Sequence, residues 1–340
     1  MQSAFADNHC VVLQYHHFSN TSPAITSVTL EQFDAHIDYL KKNDFNVMPL
    51  RDVVLSIQHE IELPDKCVSI SVDDAYLSVY QNAYPRLKKL NWPFTVFVNT
   101  QAVNEKVKTY MSWEQMREMA QNGVQFENHS HTHTHFLRKW PQESRQQWLQ
   151  RIKTDIQTAQ SLITQQIGDA PKLFAHPYGE YTPDTINLIR DLGLTGFGQQ
   201  SGPVWPDANM GALPRFPMAA QYANIKGFIT KVNTLPLPVV KAEPANPLVT
   251  VGQTQPPLIL KLAKEQFSKA NLNCFVSGSS NITLKWLDQD STVTITPNKK
   301  LSAGRHRTNC TMPSSQKGRF HWYSHNWFIR KSDGSWYSEY

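Results

Sequence analysis

Acidic and imidazole side chains follow several predicted strands of this 340-residue chain. The groups are Tyr15-His16-His17, Asp73-Asp74, the run 128–135 and His176-Pro177-Tyr178-Gly179. Ten of the thirteen histidines lie between His9 and His176 inclusive, so imidazoles are concentrated in this part of the chain. Two carboxylates and several imidazoles that meet at one edge of a fold would form a site for a divalent metal.

The spacing of the histidines sharpens this hypothesis. His129 and His133 are four residues apart, which puts both imidazoles on one side of a helical turn. One Asp and two His occupy one face of a metal and leave positions for water and substrate. The second Asp can then take a proton from a water whose pKa the metal lowers toward roughly 7. The run also permits a second register, in which His131 and His135 are the pair.

Each motif alone also has an ordinary structural explanation. An Asp-Asp pair is common in turns and helix caps, a surface His-x-His-x-His run can bind metal adventitiously, and His176-Pro177-Tyr178-Gly179 can be a plain turn. Their joint placement at successive strand ends is what favours catalysis, because the carboxyl ends of parallel strands form one face of an α/β barrel.

The elements that position these groups are predicted from hydrophobic periodicity. Short apolar runs at 10–15, 67–72, 94–98, 124–127, 172–175 and 194–197 are predicted as buried strands. Helical spacing from Leu30 to Leu40, a capping box at Ser112 and Gln115, and a long amphipathic run over 143–167 predict the helices between them. Another helix begins at Thr182-Pro183. The alternation indicates an α/β fold with a parallel sheet, open or closed into a barrel.

A break in composition divides the chain after this α/β region. The segment 236–257 holds six prolines and no helical period, so we predict a stiff linker there. Short alternating runs follow at 259–263, 272–276, 282–287, 292–296, 320–323 and 327–329. This pattern is typical of a small all-β sandwich. We therefore predict a catalytic domain over residues 9–235, a linker over 236–257 and an accessory domain over 258–340.

Charge and hydropathy exclude several classes of protein. No stretch approaches 18 consecutive apolar residues, which excludes a membrane-spanning helix. Residues 258–340 hold 12 Lys and Arg against 5 Asp and Glu, a net +7, while the other 257 residues hold 21 against 23. The basic segment would attract an anionic envelope polymer, and its four tryptophans would serve either a carbohydrate surface or the domain core. Nucleic-acid binding is not predicted, because no recognised motif accompanies the charge.

The N-terminus and the cysteines indicate an exported protein. Ala4-Phe5-Ala6 has the form of a signal-peptidase site, so we expect the remainder of a removed signal peptide there and a periplasmic or secreted location. Cys274 and Cys310 lie in one short β-rich segment, and we predict that they form a disulfide. A bridge between Cys10 and Cys67 is left open, since neighbouring parallel strands are often too strained to be joined.

Three motifs resemble those of the polysaccharide deacetylase family, the NodB-homology domain of carbohydrate esterase family 4. The motifs are Ser71-Val72-Asp73-Asp74-Ala75-Tyr76, Asn128-His129-Ser130-His131-Thr132-His133 and Phe174-Ala175-His176-Pro177-Tyr178-Gly179. The opening Tyr15-His16-His17 resembles that of members that act on poly-β-1,6-N-acetylglucosamine. The resemblance covers about residues 9–232 and implies a distorted (β/α) barrel of seven or eight strands.

The resemblance also implies a role for each matching residue. Asp73 would be the general base, Tyr178 would offer its backbone N–H to an oxyanion, and a divalent metal would be held by three ligands. These ligands are Asp74, His129 and His133, in the first of the two registers. The metal would be Zn²⁺ most readily, with Co²⁺, Ni²⁺ or Mn²⁺ as alternatives. Residues predicted to contact the substrate are His17, Tyr76 and Pro177.

Three positions depart from the family pattern. Ala75 replaces a glycine after the Asp pair, which matters if the backbone there has a positive φ. Ala175 replaces the arginine that orients the catalytic Asp, and we predict that Arg215 takes over this function from another strand. The late Leu-x-His that supplies the general acid is missing, because no histidine lies between 177 and 305. His176, ahead of His17, is the predicted substitute.

The function predicted from the sequence is metal-dependent removal of N-acetyl groups from β-linked N-acetylglucosamine polymers or oligomers. Peptidoglycan and chitin oligosaccharides are alternative substrates. A different class, a glycan-binding protein with a degenerate site, is favoured by the missing acid and arginine. The intact Asp73, Asp74, His129 and His133 favour the enzyme.

Overall fold

The computed structural model of the chain describes residues 8–263, 269–287 and 291–338. The predicted signal-peptide remnant, Ala4-Phe5-Ala6, lies outside these residues. Within the described ranges, no helix combines the length and the apolar character needed to cross a bilayer.

The N-terminal part of the chain alternates strands and helices as predicted. Its strands are β1 (Val11–Tyr15), β2 (His17–Phe18), β3 (Ser27–Val28), β4 (Asn46–Val47), β5 (Cys67–Asp73), β6 (Thr95–Val98), β7 (Gln125–Asn128), β8 (Leu173–Ala175), β9 (Thr195–Phe197) and β10 (Phe216–Pro217). Its helices are α1 (Leu30–Lys42), α2 (Leu50–Gln58), α3 (Tyr84–Lys89), α4 (Thr100–Asn104), α5 (Trp113–Ala120), α6 (Arg145–Ile167), α7 (Pro183–Asp191) and α8 (Ile225–Val232). The predicted capping box of Ser112 and Gln115 is present at the start of α5.

Eight of these strands form one parallel sheet. Its order is β10-β1-β5-β6-β7-β8-β9, with β4 beside the start of β5. Leu213 bridges Phe197 of β9 in parallel, and Phe216, three residues later, pairs with Leu13 of β1. This segment links the two ends of the sheet, so the predicted distorted (β/α) barrel is confirmed. All residues of β1 and β5 are buried, as expected for strands covered on both faces.

Two antiparallel sheets follow. Their strands are β11 (Leu235–Pro236), β12 (Val239–Glu243), β13 (Leu258–Leu262), β14 (Asn273–Val276), β15 (Ile282–Trp286), β16 (Thr292–Pro297), β17 (Gly304–Pro313) and β18 (Phe320–Ile329). One sheet has the order β11-β18-β17-β14 and the other β12-β13-β16-β15. The pair of β11 and β18 is parallel. Alternate residues of β13 and β16 are buried in a shared core. The division of the chain into domains stays a proposal; within the segment 236–257, β12 pairs with β13.

Both cysteine pairs are bridged. The predicted disulfide between Cys274 and Cys310 joins β14 to β17. The pair left open, Cys10 and Cys67, is also a disulfide, which links the residue before β1 to the first residue of β5. Each part of the chain therefore carries one covalent crosslink between neighbouring strands.

Candidate active site

A buried ion pair lies at the end of β5. Asp73 and Arg215 are both fully buried, and the guanidinium donates from Nη1 to Asp73 Oδ1 at 2.6 Å and from Nη2 to Oδ2 at 2.8 Å. Gln14 of β1 adds a bond from Nε2 to Oδ2 at 2.6 Å. Burial would raise the pKa of Asp73, but the charges of Arg215, His129 and His16 outweigh it and hold that pKa below its usual range. Asp73 is therefore an oriented carboxylate.

The neighbouring carboxylate faces two imidazoles. Asp74 Oδ1 lies 3.5 Å from His129 Nε2 and 3.3 Å from His133 Nε2, and these two nitrogens are 3.2 Å apart. His129 Nδ1 is 2.8 Å from the carbonyl oxygen of Ala175, so it carries the proton and leaves the Nε2 lone pair facing Asp74. The structure therefore brings together the three residues that the family resemblance names as ligands.

The chemistry of this donor set fits a metal ion. Two imidazole nitrogens and a carboxylate oxygen converge, all within 4.8 Å of one another. His129 Nε2 presents a lone pair toward a carboxylate oxygen of Asp74 and the Nε2 of His133, which is the donor set of a site for a divalent cation. The bond from His129 Nδ1 to a backbone carbonyl is the outer contact that orients a metal-ligating histidine.

Backbone strain accompanies this cluster. Asp74 and Ala75 have φ of 75° and 58°, so Ala75 occupies the left-handed conformation that the glycine of the family motif would adopt without a Cβ penalty. Ser130 and His133 also have positive φ, 70° and 51°. The loop that carries His129 and His133 is therefore not the helical turn expected from their spacing. The two imidazoles meet because the loop folds back on itself.

Side-chain bonds hold the histidine loop and select its register. Asp155 of α6 accepts from the backbone N–H of His131 at 2.7 Å, and Ser130 Oγ accepts from that of His133 at 3.0 Å. The histidines of the alternative register are engaged elsewhere: His131 Nδ1 lies 2.8 Å from Thr100 Oγ1, and His135 Nδ1 lies 3.0 Å from Glu180 Oε2. The loop therefore presents His129 and His133 to Asp74.

The end of β1 supplies two further imidazoles. His16 Nε2 lies 3.9 Å from Asp73 Oδ2, and its side chain is 17% exposed. The ring of His17 stacks on that of Tyr76 with centroids 3.6 Å apart. Burial, followed by the charge of Asp74, raises the pKa of Tyr76, which keeps its hydroxyl protonated. Two of the predicted substrate-binding residues, His17 and Tyr76, thus form one aromatic wall beside the carboxylates.

The turn after β8 carries the remaining predicted residues. Tyr178 has φ 58° and ψ 7°, and its ring stacks on His135 at 3.7 Å and lies 4.7 Å from the ring of His133. Pro177, before it, is buried. His176 is fully buried, with Nε2 2.8 Å from the carbonyl oxygen of Gly211. Burial lowers the pKa of His176 to about 4, so this imidazole is neutral at pH 7.

Sequence reasoning assigned no role to three residues of this region. Gln14 donates to Asp73, and His16 lies beside the same carboxylate. Glu180 is fully buried, and its Oε2 lies 3.0 Å from His135 Nδ1. A glutamine inside the run Val11–Tyr15, which is otherwise apolar up to its terminal tyrosine, was the available signal for Gln14. A polar residue in a strand buried on both faces needs a polar partner.

Comparisons with known proteins agree with this geometry. Residues 60–197 match the sequence model of the family described as polysaccharide deacetylase. The chain is 28% identical over 234 residues to the poly-beta-1,6-N-acetyl-D-glucosamine N-deacetylase of Staphylococcus aureus (strain NCTC 8325 / PS 47), covering 62% of this chain and 79% of that protein. The resemblance to the polysaccharide deacetylase family, predicted from the motifs, is confirmed.

Solved structures show the same barrel. IcaB from Ammonifex degensii superposes with a TM-score of 0.57 at 26% identity, over 64% of this chain and 94% of that one. The Streptococcus pyogenes deacetylase PplD superposes with a TM-score of 0.59 at 20% identity, over 66% of this chain and 98% of that one, and so shares the fold. Both cover about two thirds of this chain and nearly all of their own.

Proposed function

We propose that the protein is a metal-dependent enzyme that removes N-acetyl groups from β-linked N-acetylglucosamine polymers of the poly-β-1,6 type. One observation carries this proposal: Asp74, His129 and His133 converge beside an Asp73 carboxylate that Arg215 holds in a bidentate pair. The likeness to a poly-beta-1,6-N-acetyl-D-glucosamine N-deacetylase supports this substrate class.

The three converging residues would hold the metal. Two imidazoles and one carboxylate favour Zn²⁺, with Co²⁺, Ni²⁺ and Mn²⁺ as alternatives. When bound, such an ion lowers the pKa of a water molecule and polarises a carbonyl group. The protein contribution is to place Asp74 beside the two imidazoles and to fix the tautomer of His129 through the carbonyl oxygen of Ala175.

Asp73 is the proposed general base. It is ionised because of Arg215, and both of its oxygens are fixed by the guanidinium, so the carboxylate cannot rotate. Oδ2 also accepts from Gln14, which leaves Oδ1 with the smaller number of bonds among the described contacts. Asp73 takes the proton of the water that attacks the acetamide carbonyl. The backbone N–H of Tyr178 is the proposed donor to the resulting oxyanion.

A histidine would protonate the leaving amine. His176 and His17 are the candidates from the sequence, and the structure adds His16. Its position favours His16, because Nε2 lies 3.9 Å from Asp73 Oδ2 and the side chain is partly exposed, whereas His176 is buried and donates to Gly211. Alanine substitution at each of the three positions tests this choice: kcat should collapse for His16→Ala alone, and collapse for His176→Ala instead would reassign the acid.

Export and a polymer partner complete the proposal. Two disulfides are what an oxidising compartment permits, so we place the enzyme in the periplasm or outside the cell. Besides the N-acetylated glycan substrate, the net charge of +7 over residues 258–340 would attract an anionic envelope polymer.

Acetate release from a panel of glycans tests the function. The panel contains poly-β-1,6-N-acetylglucosamine, chitin oligomers and peptidoglycan, and we expect the highest kcat/KM on the first. EDTA should stop release, and added Zn²⁺ or Co²⁺ should restore it. Binding without release from any of the three would favour a glycan-binding protein. Faster release from chitin oligomers or peptidoglycan would reassign the substrate.

A further inference from the structure

A cleft of about 620 Å³ lies between the barrel and the C-terminal sheets. This volume falls in the range of about 300–1,000 Å³ that ligand sites occupy. The barrel side carries Trp140, Trp148 and Asp184, and the opposite side carries Asn246, Arg330 and Trp336. Trp140 lies seven residues after His133, and Asp184 lies six residues after Tyr178, so the barrel wall is formed by the chain segments that follow the two loops of the candidate active site.

Trp140 is an exposed aromatic residue that lines this cleft. Its residue is 63% exposed, although an indole is among the largest apolar groups that a protein can bury. The Trp140 backbone N–H donates to Glu143 Oε2 at 2.9 Å. The Arg151 guanidinium lies 4.3 Å from the ring centroid, and it is itself held by Glu143 at 2.7 and 2.8 Å. The exposed ring is therefore fixed before a ligand arrives.

The wall formed by the C-terminal residues is in contact with the barrel. The hydroxyl of Tyr337 donates to the buried Glu180 Oε1 at 3.0 Å, and Glu180 lies in the segment between Tyr178 and Asp184. The guanidinium of Arg138 lies 5.6 Å from the ring centroid of Trp336, across the boundary between the barrel and the sheets. These contacts hold the two walls at a fixed separation, so the cleft is preformed.

A glycan chain fits the chemistry of these walls. The C–H face of a β-linked pyranose is apolar and flat, which suits a fixed indole, while its hydroxyl and acetamide groups need polar partners. Lys139 and Asn246 line the cleft and are exposed. We propose that the cleft binds N-acetylglucosamine units of the polymer that lie outside the reaction centre. This inference rests on the proposed function and adds where the rest of the chain is held.

Chain-length dependence tests the cleft. Trp140→Ala should raise KM for a long poly-β-1,6-N-acetylglucosamine oligomer about 2- to 10-fold, the range of one aromatic contact, with kcat unchanged. KM for a disaccharide should stay the same, because a short substrate does not reach the cleft. Trp140→Phe should retain part of the affinity. Tyr222→Ala, which removes another exposed aromatic ring that does not line the cleft, is the matched control.

A binding titration separates this inference from the proposed function. The same long oligomer is titrated calorimetrically into wild type and Trp140→Ala, with thermal melting as a check that both are folded. Weaker binding to the variant supports the cleft even if wild type releases no acetate, which would overturn the function alone. Equal affinity and equal KM in folded wild type and variant would overturn the cleft. If Trp140→Ala does not fold, Trp336→Ala is tested with the same readouts and the same outcomes.

A second, independent contact joins the C-terminal sheets to the candidate active site. Arg305 of β17 donates from Nη1 to the carbonyl oxygen of Tyr178 at 2.9 Å, and its guanidinium lies 5.7 Å from the Tyr178 ring centroid. Tyr178 is in the left-handed conformation, which a tyrosine adopts only when its surroundings impose it. We infer that Arg305 is a positioning residue: by binding the carbonyl oxygen of Tyr178 it holds the left-handed conformation of this residue, and with it the direction of the backbone N–H that is the proposed oxyanion donor.

A split between kcat and KM tests this role, which also rests on the proposed function. Arg305→Ala should lower kcat about 10-fold with KM unchanged, as expected for loss of one charge-assisted hydrogen bond, and Arg305→Lys should restore part of it. Arg190→Ala, which removes an exposed arginine on α7, should leave kcat unchanged. In the amide NMR spectrum, the Tyr178 resonance should shift in Arg305→Ala, a readout that needs no activity. An unchanged resonance and an unchanged kcat would each overturn the inference.

Discussion

Histidines are buried both at the rim of the barrel, where the loops after β5, β7 and β8 meet, and in the core of the C-terminal sheets. The two groups of histidines differ in their polar partners. At the rim, His129 and His133 face Asp74, and His129 also donates to a backbone carbonyl. In β18, His325 is buried, and its Nε2 has no hydrogen-bond partner among the described residues. Burial alone lowers the pKa of His325 to about 4.

This difference separates a site from a core. A buried polar group that lacks a partner costs stability wherever it lies, so proteins keep few of them. At the rim, several polar groups from different strands converge on one point and hold each other, which is the arrangement that catalysis requires. His325 has an aromatic neighbour instead, the ring of Trp327 at 4.5 Å. Convergence, not burial or residue type, is therefore the feature that assigns function.

The largest effect is expected from removing the carboxylate that the two rim histidines share. Asp74→Asn keeps the shape of the side chain and removes its charge, so bound metal and acetate release should both be lost. We expect at least a roughly 100-fold decrease in kcat/KM, since even the outer contacts of a metal ligand are worth about 10- to 100-fold. Metal analysis and acetate assays measure this, with the exposed Asp207→Asn as control. Full activity of Asp74→Asn would remove the distinction between the two regions.

The next effect concerns buried arginines. Arg215→Met would leave Asp73 buried as an unpaired anion, which should lower the free energy of unfolding by about 3–5 kcal/mol. The double variant Asp73→Asn/Arg215→Met should recover part of this loss, because no charge is then left unpaired. Urea unfolding measures both.

A half-buried arginine in the C-terminal sheets, Arg307, provides the contrast. Burial lowers the pKa of Arg307 in β17 to about 10, and no ion pair of Arg307 is found among the described residues. Arg307→Met orphans no carboxylate, so its unfolding free energy should change by less than that of Arg215→Met. Equal losses in the two variants would show that the Asp73 pairing does not carry the stability of the rim.

The sequence predicts most of the barrel strands but fewer strands of the C-terminal sheets, because the prediction depends on the pattern of apolar residues. Most barrel strands are covered on both faces and carry mainly apolar residues, with β7 (Gln125–Asn128) as an exception, and their predicted ends agree with the structure within one or two residues. The predicted strands 320–323 and 327–329 are instead one strand, Phe320–Ile329. The polar Ser324, His325 and Asn326 at its centre are buried, which no alternation pattern predicts.

The strand β17 and the contact of Gln14 were not predicted, because both depend on partners that are distant in sequence. β17 carries Arg305, Arg307 and Asn309, so it lacks a hydrophobic period that would predict a strand. Its order comes from pairing with β18 along ten residues. The pairing of Arg215 with Asp73 was predicted from the missing motif arginine, whereas the contact of Gln14 with Asp73 was not. Partners that are distant in sequence become visible only when the fold brings them together.

The smallest effect is the share of the pH dependence of stability that the buried His325 contributes. His325 has a folded-state pKa of about 4, below the ordinary value of 6.5, so between these pH values the unfolded chain binds a proton that the folded chain does not. Stability is therefore fully present above about pH 6.5 and falls as the pH is lowered toward 4, by about 1.4 kcal/mol per pH unit from this group.

His325→Phe should flatten the slope of the unfolding free energy against pH by this share, while the exposed His59→Phe should not. Because His36 and His176 have similarly lowered pKa values, wild type and both variants all keep a residual slope, and the difference in slope between His325→Phe and wild type is the decisive quantity. An identical slope would mean that His325 finds a proton acceptor in solution, and the contrast between rim and core would then rest on the carboxylates alone.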